Sequence, residues 1–188
     1  MKRAPEDGIN HGLKPSTLVR RFATQIADLA AGKPVIDVAC GSGRNALALA
    51  QLGCHVICVD KDLAGLEANI ALLRPTGLRQ VTEKLSLTQL DLVEDSWPFA
   101  SSIAGGIINV HFLLPKLFPL FERSLSPGGY LLLETVPGCG GNYLELPRSE
   151  EVRSAFEKKF EIEWYKERKV GPAGYDAVTV QIFAKKRN

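Results

Sequence analysis

The stretch "PVIDVACGSGRN", residues 34–45, constrains the fold of this chain more than any other segment. Val35 to Ala39 are apolar except for one acid and read as a short buried strand. Two glycines follow, and Ala46 to Leu52 then read as a helix stopped by Gly53. A buried strand that turns through glycines into a helix is the first half of a parallel crossover, so helices must cover the sheet. The same turn has a chemical consequence. Glycines let the backbone approach a ligand closely, and the helix start offers unpaired N–H groups to it. Gly41-Ser-Gly43-Arg-Asn-Ala46 fits G-x-G-x-x-A, a permitted form of the dinucleotide fingerprint.

The strand–helix pattern then repeats. "CHVICV" (54–59) is β-branched and apolar, and Asp62 can cap a helix carrying Leu63, Leu66, Ile70 and Leu73, ended by Pro75 and Gly77. "LSLTQL" (85–90) and "GGIINVHF" (105–112) are the third and fourth strands. A helix holding Leu117, Leu120, Phe121 and Leu125 is broken by the turn "SPGG" (126–129), and "YLLLETV" (130–136) is the fifth strand. Before them, Ser16 can cap a helix with Leu18, Phe22, Ile26 and Leu29 on one face, closed by Gly32. The last two segments differ. In 160–170 and 177–186 apolar and charged residues alternate, and only "GPAGYD" separates them, so they pair as an antiparallel hairpin. One doubly wound α/β domain results, with a core over 16–188 and a polar arm over 1–15, broken by Pro5, Gly8, Gly12 and Pro15.

Composition removes several function classes. A formal charge of +2 calls for neither nucleic acid nor an anionic membrane surface, and the basic cluster Lys185, Lys186 and Arg187 reads as a solvated tail. No apolar stretch is long enough to span a bilayer, and "MKRAPEDGINHG" lacks the apolar centre of a signal peptide, so a cytoplasmic location is expected. Cys40, Cys54, Cys58 and Cys139 form no C-x-x-C pair and read as buried free thiols, and no Cys/His cluster has metal-ligand spacing.

Two acids give the glycine turn a partner. Asp60 ends the second strand, seventeen positions beyond Gly43, where a carboxylate can accept hydrogen bonds from both hydroxyls of an adenosine ribose. Asp91 ends the third strand within "QLDL", where it can meet an adenine edge. Together they describe an adenosine crevice at the carboxyl edge of the sheet. Asp37, four residues before Gly41, occupies a place where dinucleotide sites present apolar residues and a glycine.

"Asp37-Val-Ala39-Cys-Gly41-Ser-Gly43" resembles motif I of class I S-adenosylmethionine-dependent methyltransferases, D/E-x-G-x-G-x-G, with Ala39 in the first glycine's place. "VIDVACGSGRNALALAQLGCHVICVD", running on through Gly-Arg-Asn, is similar to the small bacterial methyltransferases grouped with the tellurite-resistance enzyme. "NVHFL", "LFPLFERSLSPGGYLLLET" and "PRSEEVRSAFEKKFEIEWYKER" resemble later parts of the same proteins, so the likeness covers about residues 15–186. It implies a seven-stranded, mostly parallel sheet in the order 3-2-1-4-5-7-6, with strand 7 antiparallel. It also implies S-adenosylmethionine as cofactor and in-line methyl transfer to a small-molecule acceptor. By resemblance, Gly41 and Gly43, flanked by Asp37, Ala39 and Cys40, lie against the methionine part. Asp60 with Lys61 goes to the ribose, Asp91 with Leu92 to the adenine, and Asn109 to the methionine amino or carboxylate group through its backbone. Arg44 and Asn45 shape the loop, with Arg44 either reaching a carboxylate or standing in solvent.

A sulfonium is already an activated methyl donor, so the protein must mainly orient the acceptor and exclude water. Where a base is needed, His111, just past the fourth strand, is the candidate, and Asn142 and Tyr143 in "GCGGNY" can line the acceptor side. The N-terminal arm is expected to fold over the cofactor as a lid. The place after the fourth strand reads "NVHF" rather than the Asn/Asp-Pro-Pro-aromatic turn of amino-group methylases of nucleic acid, and no Pro-Cys pair supplies a thiolate nucleophile. Two other readings stand beside this one. An NAD(P)-dependent oxidoreductase would use the same glycine turn, and Tyr165 and Lys169 have the Y-x-x-x-K spacing of short-chain dehydrogenases, but their surroundings alternate as a strand. A non-catalytic S-adenosylmethionine-binding module would need no further residues.

Overall fold

The computed structural model describes residues 13–30 and 32–188, and the lid expected of the N-terminal arm falls almost wholly outside them. Seven strands form one sheet, β1 (Val35–Val38), β2 (Val56–Asp60), β3 (Leu85–Gln89), β4 (Ala104–Val110), β5 (Leu125–Glu134), β6 (Phe160–Val170) and β7 (Ala177–Lys186). Their order is β3-β2-β1-β4-β5-β7-β6. β1 to β5 pair in parallel, and β7 runs antiparallel to both of its neighbours. The expected order and the antiparallel hairpin are both present.

Each face of the sheet buries its own core. One face carries α1 (Thr17–Leu29), α2 (Arg44–Gln51) and α3 (Ala64–Leu73), whose Leu18, Ile26, Leu49 and Leu66 pack on Val35, Cys58, Ile108 and Leu132. The opposite face carries α5 (Phe118–Ser124) and α6 (Glu151–Phe156), whose Phe121 and Phe156 pack on Ile36, Ile107, Leu131 and Val180. Two-sided burial explains why β1 and β4 read as continuous apolar runs, while β6, at the edge, alternates. α1 starts where its sequence says it should. The Ser16 hydroxyl accepts from Val19 N at 3.1 Å, satisfying one of the free N–H groups of the first turn. The ring of Phe22 in α1 stacks on Phe183 of β7 at 4.1 Å, and the guanidinium of Arg21 lies 3.7 Å from the ring of Trp164 on β6. These contacts pin the hairpin to α1 and so fix where its far end stands at the carboxyl rim.

Several expectations need correcting. Leu29 is exposed because α1 turns Val19 and Ala23 inward instead. Leu125 opens β5 rather than closing α5, and "SPGG" lies inside the strand's span. Ala104 pairs with Leu125 and Gly106 with Tyr130, so two steps along β4 match five along β5 and the turn is absorbed as a bulge. α4 (Arg79–Thr82) and α6 are too short to give a periodic pattern that sequence reading can detect. Cys40, Cys54 and Cys58 are buried free thiols, but Cys139 is exposed on a loop.

Gly105 shows how closely α1 approaches the sheet. A Cβ built there would stand 2.4 Å from the carbonyl oxygen of Ala30 and 2.7 Å from its Cα, and backbone cannot move aside as a side chain can. Gly105→Ala should therefore cost about 1–3 kcal/mol of stability, measured as a lowered urea midpoint with an unchanged slope. An unchanged midpoint would show that the end of α1 is loosely seated.

Candidate functional site

The chain leaves β1 through a succession of left-handed residues, Ala39 (φ 56°), Gly41 (φ 53°) and Gly43 (φ 76°). Each glycine has its own reason. A Cβ on Gly43 would fall 2.3 Å from Leu66 Cδ1, so its absence lets the start of α2 seat against α3. A Cβ on Gly41 would meet nothing within 4 Å among the described residues. That openness leaves the backbone of the turn accessible from outside, which is the condition for a ligand to lie against it. Ala39 stands where the motif has its first glycine and adopts a conformation that costs an alanine about 1–2 kcal/mol. The Cys40 N–H donating to Val59 O at 3.0 Å helps hold it there.

Asp60 closes the turn from the next strand. Its Oδ2 accepts from Gly41 N at 2.8 Å and its Oδ1 from Asp62 N at 3.1 Å. An ionised carboxylate has about four lone-pair sites, so both oxygens can still accept from outside. Asp62 in turn accepts from Ala64 N at 2.9 Å at the start of α3. The acid, the turn and the helix start are therefore one hydrogen-bonded unit.

Asp37 lies beneath that unit. It is 1% exposed, and its Oδ2 has no hydrogen-bond partner among the described residues. Burial pushes its carboxyl up to about 8, partly opposed by the Ala46 backbone N–H, with Asp60 raising it further and Arg44 lowering it. A buried acid with an orphaned oxygen is expensive to keep. It marks the floor of the turn as a place where a cationic or hydrogen-donating group would be favoured.

The remaining residues divide. Arg44 is half-buried, and its Nη2 lies 3.4 Å from His111 Nδ1. Asn45 is buried and turned away from the turn, its Oδ1 accepting from Ser16 N at 2.9 Å and tying α1 to α2. Lys61 is exposed, and its carbonyl accepts from Gln89 Nε2 at 3.0 Å. Asp91 folds a tight turn, its Oδ1 accepting from Val93 N at 2.9 Å, and this buries Leu92 beside the rim. Asn109 is fully enclosed, its Nδ2 donating to Val38 O at 3.3 Å across β1 and β4. His111 takes a left-handed φ of 63° immediately after β4, and its N–H donates to Glu134 O at 2.7 Å. Desolvation lowers its pKa, against the pull of Glu134 and with the push of Arg44, so the ring is neutral near pH 7.

Beside His111 opens a cleft of about 230 Å³ that sequence reading missed, lined by Glu134, Thr135, Lys166, Arg168, Thr179 and Gln181 among others. Glu134 could have been found, because ligands in such sheets gather at the carboxyl ends of the strands. Lys166 and Arg168 could not, because only the register of the hairpin brings them to that end. Asn142 and Tyr143 sit on the nearby loop instead, with Asn142 Nδ2 donating to Pro137 O at 3.3 Å and Tyr143 packed edge-on against Tyr175 at 4.9 Å. Tyr165 and Lys169 both lie on β6, so no helix brings them together as an oxidoreductase dyad requires. The Tyr165 hydroxyl donates to Glu167. No group of three or more potential metal ligands occurs among the described residues, and no helix among them is long and apolar enough to cross a membrane.

Residues 35–129 match the family model described as "Methyltransferase domain". A ribosomal protein L11 methyltransferase from Campylobacter concisus (strain 13826) is 30% identical over 113 residues, which are 56% of this chain and 35% of that protein's length. The chain thus spans about a third of this curated relative. The same fold is found in TehB from Haemophilus influenzae, at a TM-score of 0.62 and 20% identity over 92% of this chain and 64% of that one. It is also found in the [4+2]-cyclase SpnF (TM-score 0.65, 16% identity, 89% and 80% covered) and in geranyl diphosphate methyltransferase in complex with SAM (0.62, 16%, 88% and 84%).

The raised pKa of Asp37 has a sign that can be tested on the ligand-free protein. Unfolded, the carboxyl releases its proton near pH 4; folded, it keeps it to about 8. Between those values the folded state binds the extra proton, so stability falls as pH rises through the window, and the loss is complete above it. Asp37→Asn cannot ionise. Its urea midpoint should differ less between pH 5 and pH 8.5 than that of the parent protein, and equal differences would contradict the assignment.

Proposed function

The chain belongs to the methyltransferase domain family, and on that premise we propose that it transfers the methyl group of S-adenosylmethionine to a small-molecule acceptor. The observation that carries this reading is the Asp60 carboxylate bonded at 2.8 Å to the N–H of Gly41 beside an open turn. The residues present fit the cofactor. Asp60 has lone pairs left for two ribose hydroxyls, the open backbone at Gly41 leaves room for the methionine part, and the orphaned oxygen of Asp37 lies beneath a turn that would receive its ammonium end. Leu92 and the Asp91 turn would flank the adenine, and the β4 end at Asn109 would meet the amino-acid group through its backbone.

When bound, S-adenosylmethionine supplies a methyl group on a positively charged sulfur, already activated for displacement. What the protein adds is placement. Asp60 and the glycine turn hold one partner, the cleft at the ends of β4, β5 and β7 holds the other, and His111 stands between them. Holding two reactants in line removes much of the entropic part of the barrier. A cleft of about 230 Å³ favours a small acceptor, since it lies below the ~300–1,000 Å³ typical of drug-sized sites.

Isothermal titration with S-adenosylhomocysteine tests this reading. The parent protein should bind it, and Asp60→Ala should weaken binding about 10- to 100-fold, the usual worth of hydrogen bonds to a charged group. Binding of NADH in place of S-adenosylhomocysteine would contradict the proposal and favour an oxidoreductase.

A further inference from the structure

The register of the sheet places one row of side chains along its carboxyl rim, on the face that carries α1. Asp37 of β1 faces Cys58 of β2 and Ile108 of β4, so two residues farther on each strand the row contains Asp60 and Val110. Val110 faces Glu134 of β5, Glu134 faces Gln181 of β7, and Gln181 faces Lys166 of β6. Arg168 and Thr179 form the next pair outward on the same face. One end of this rim therefore holds the carboxylate beside the glycine turn, and the other end is the cleft.

The cleft has a polarity of its own. Gln181 Nε2 donates to Glu134 Oε1 at 2.7 Å and fixes that carboxylate, while Glu134 Oε2 is buried with no hydrogen-bond partner among the described residues. Lys166 and Arg168 make no ion pair among the described residues, and both line the same concavity. Cations of one sign lining a cleft raise the local concentration of anions. Lys166 and Glu134 are separated by two strand spacings, about 10 Å between backbones, and both line the same cleft, so one small molecule can touch both.

We propose that this cleft binds the methyl acceptor and that the acceptor is a small organic anion carrying an O–H or N–H nucleophile, its anionic group on Lys166 and Arg168 and its protic group on Glu134 Oε2. This rests on the methyl-transfer reading and narrows it to a substrate class. It also moves the base from His111 to Glu134. A guanidinium can only donate, so the contact with Arg44 makes His111 Nδ1 the acceptor and leaves Nε2 carrying the proton. The ring's lone pair is then taken, and its remaining free group is a donor. Glu134 has the unoccupied acceptor. In the transfer, the acceptor's O or N lone pair forms the bond to the methyl carbon and the carbon–sulfur bond breaks with its electron pair remaining on sulfur. The proton of the O–H or N–H passes to Glu134 Oε2 and from there to water.

The test uses the full chain saturated with S-adenosylhomocysteine and a panel of hydroxy- and amino-carboxylic acids, from glycolate to 4-hydroxybenzoate and 4-aminobenzoate, each beside its uncharged amide. Calorimetry should detect acids of the panel, with the matching amides at least about tenfold weaker. The double variant Lys166→Met, Arg168→Met should weaken those acids about tenfold or more while S-adenosylhomocysteine binds as before. Glu134→Gln should keep acid binding within about threefold but lower methyl transfer from labelled S-adenosylmethionine at least about 100-fold, with loss of the acidic limb of the pH–rate profile. Equal binding of amides and acids, an unaffected double variant, full-rate transfer by Glu134→Gln, or no acid binding to a protein that holds S-adenosylhomocysteine would each overturn the inference and leave methyl transfer standing. Failure of S-adenosylhomocysteine itself to bind appears in the first titration and removes the parent reading instead.

Discussion

The hydrogen bond from the Gly41 N–H to the Asp60 carboxylate, 2.8 Å long, joins the ends of two neighbouring strands just beyond the point where their pairing stops. Its formation requires a left-handed residue at 41, a short acid at 60, and a sheet that delivers both to one rim. The same carboxylate accepts from Asp62 N, and Asp62 accepts from the N–H of Ala64, the first residue of α3, so one acid links the glycine turn to the helix that follows β2. Gly43 then lets α2 lie on Leu66 of α3. Adjacent glycines of one turn thus serve two ends, Gly41 bonding to the acid and Gly43 letting the helices pack.

The unit has a cost. Asp37 is enclosed with an unpartnered oxygen, Ala39 occupies a left-handed position, and His111 occupies another at the end of β4. All three lie at the rim, within or next to the region where a ligand would sit. Strained backbone and unsatisfied buried acids persist when the surrounding structure over-determines them, and they cluster where function is carried. The core beneath, packed on both faces of the sheet, supplies that determination.

The doubly wound sheet and its terminal hairpin were legible in the sequence because each rests on local signals, while the strand order came from the resemblance to class I methyltransferases. These are apolar runs of strand length, glycine and proline punctuation, and an alternating edge pair. Asp60 was legible for the same reason, standing one strand end away from the glycine turn. What could not be read depended on register. The bulge at Ser126–Gly129 looks like an ordinary turn in sequence, because only pairing with β4 shows that the strand resumes on both sides of it. Lys166 and Arg168 look like solvated charges on an edge strand until β7 sets them opposite Gln181 and Thr179. Asn45 reads as a loop-shaping residue, yet its buried side chain faces α1, a contact spanning 29 positions. Long-range pairing was the missing information in every case.

The account's central claim is that the two acids and the glycine turn form an adenosyl site whose sugar is held by Asp60. The most direct measurement is a crystal structure of the chain grown with S-adenosylhomocysteine. The account requires both ribose hydroxyls within hydrogen-bonding distance of the Asp60 carboxylate and the ligand sulfur facing the cleft beside His111. A ligand bound elsewhere, or one whose ribose faces away from residue 60, would contradict it.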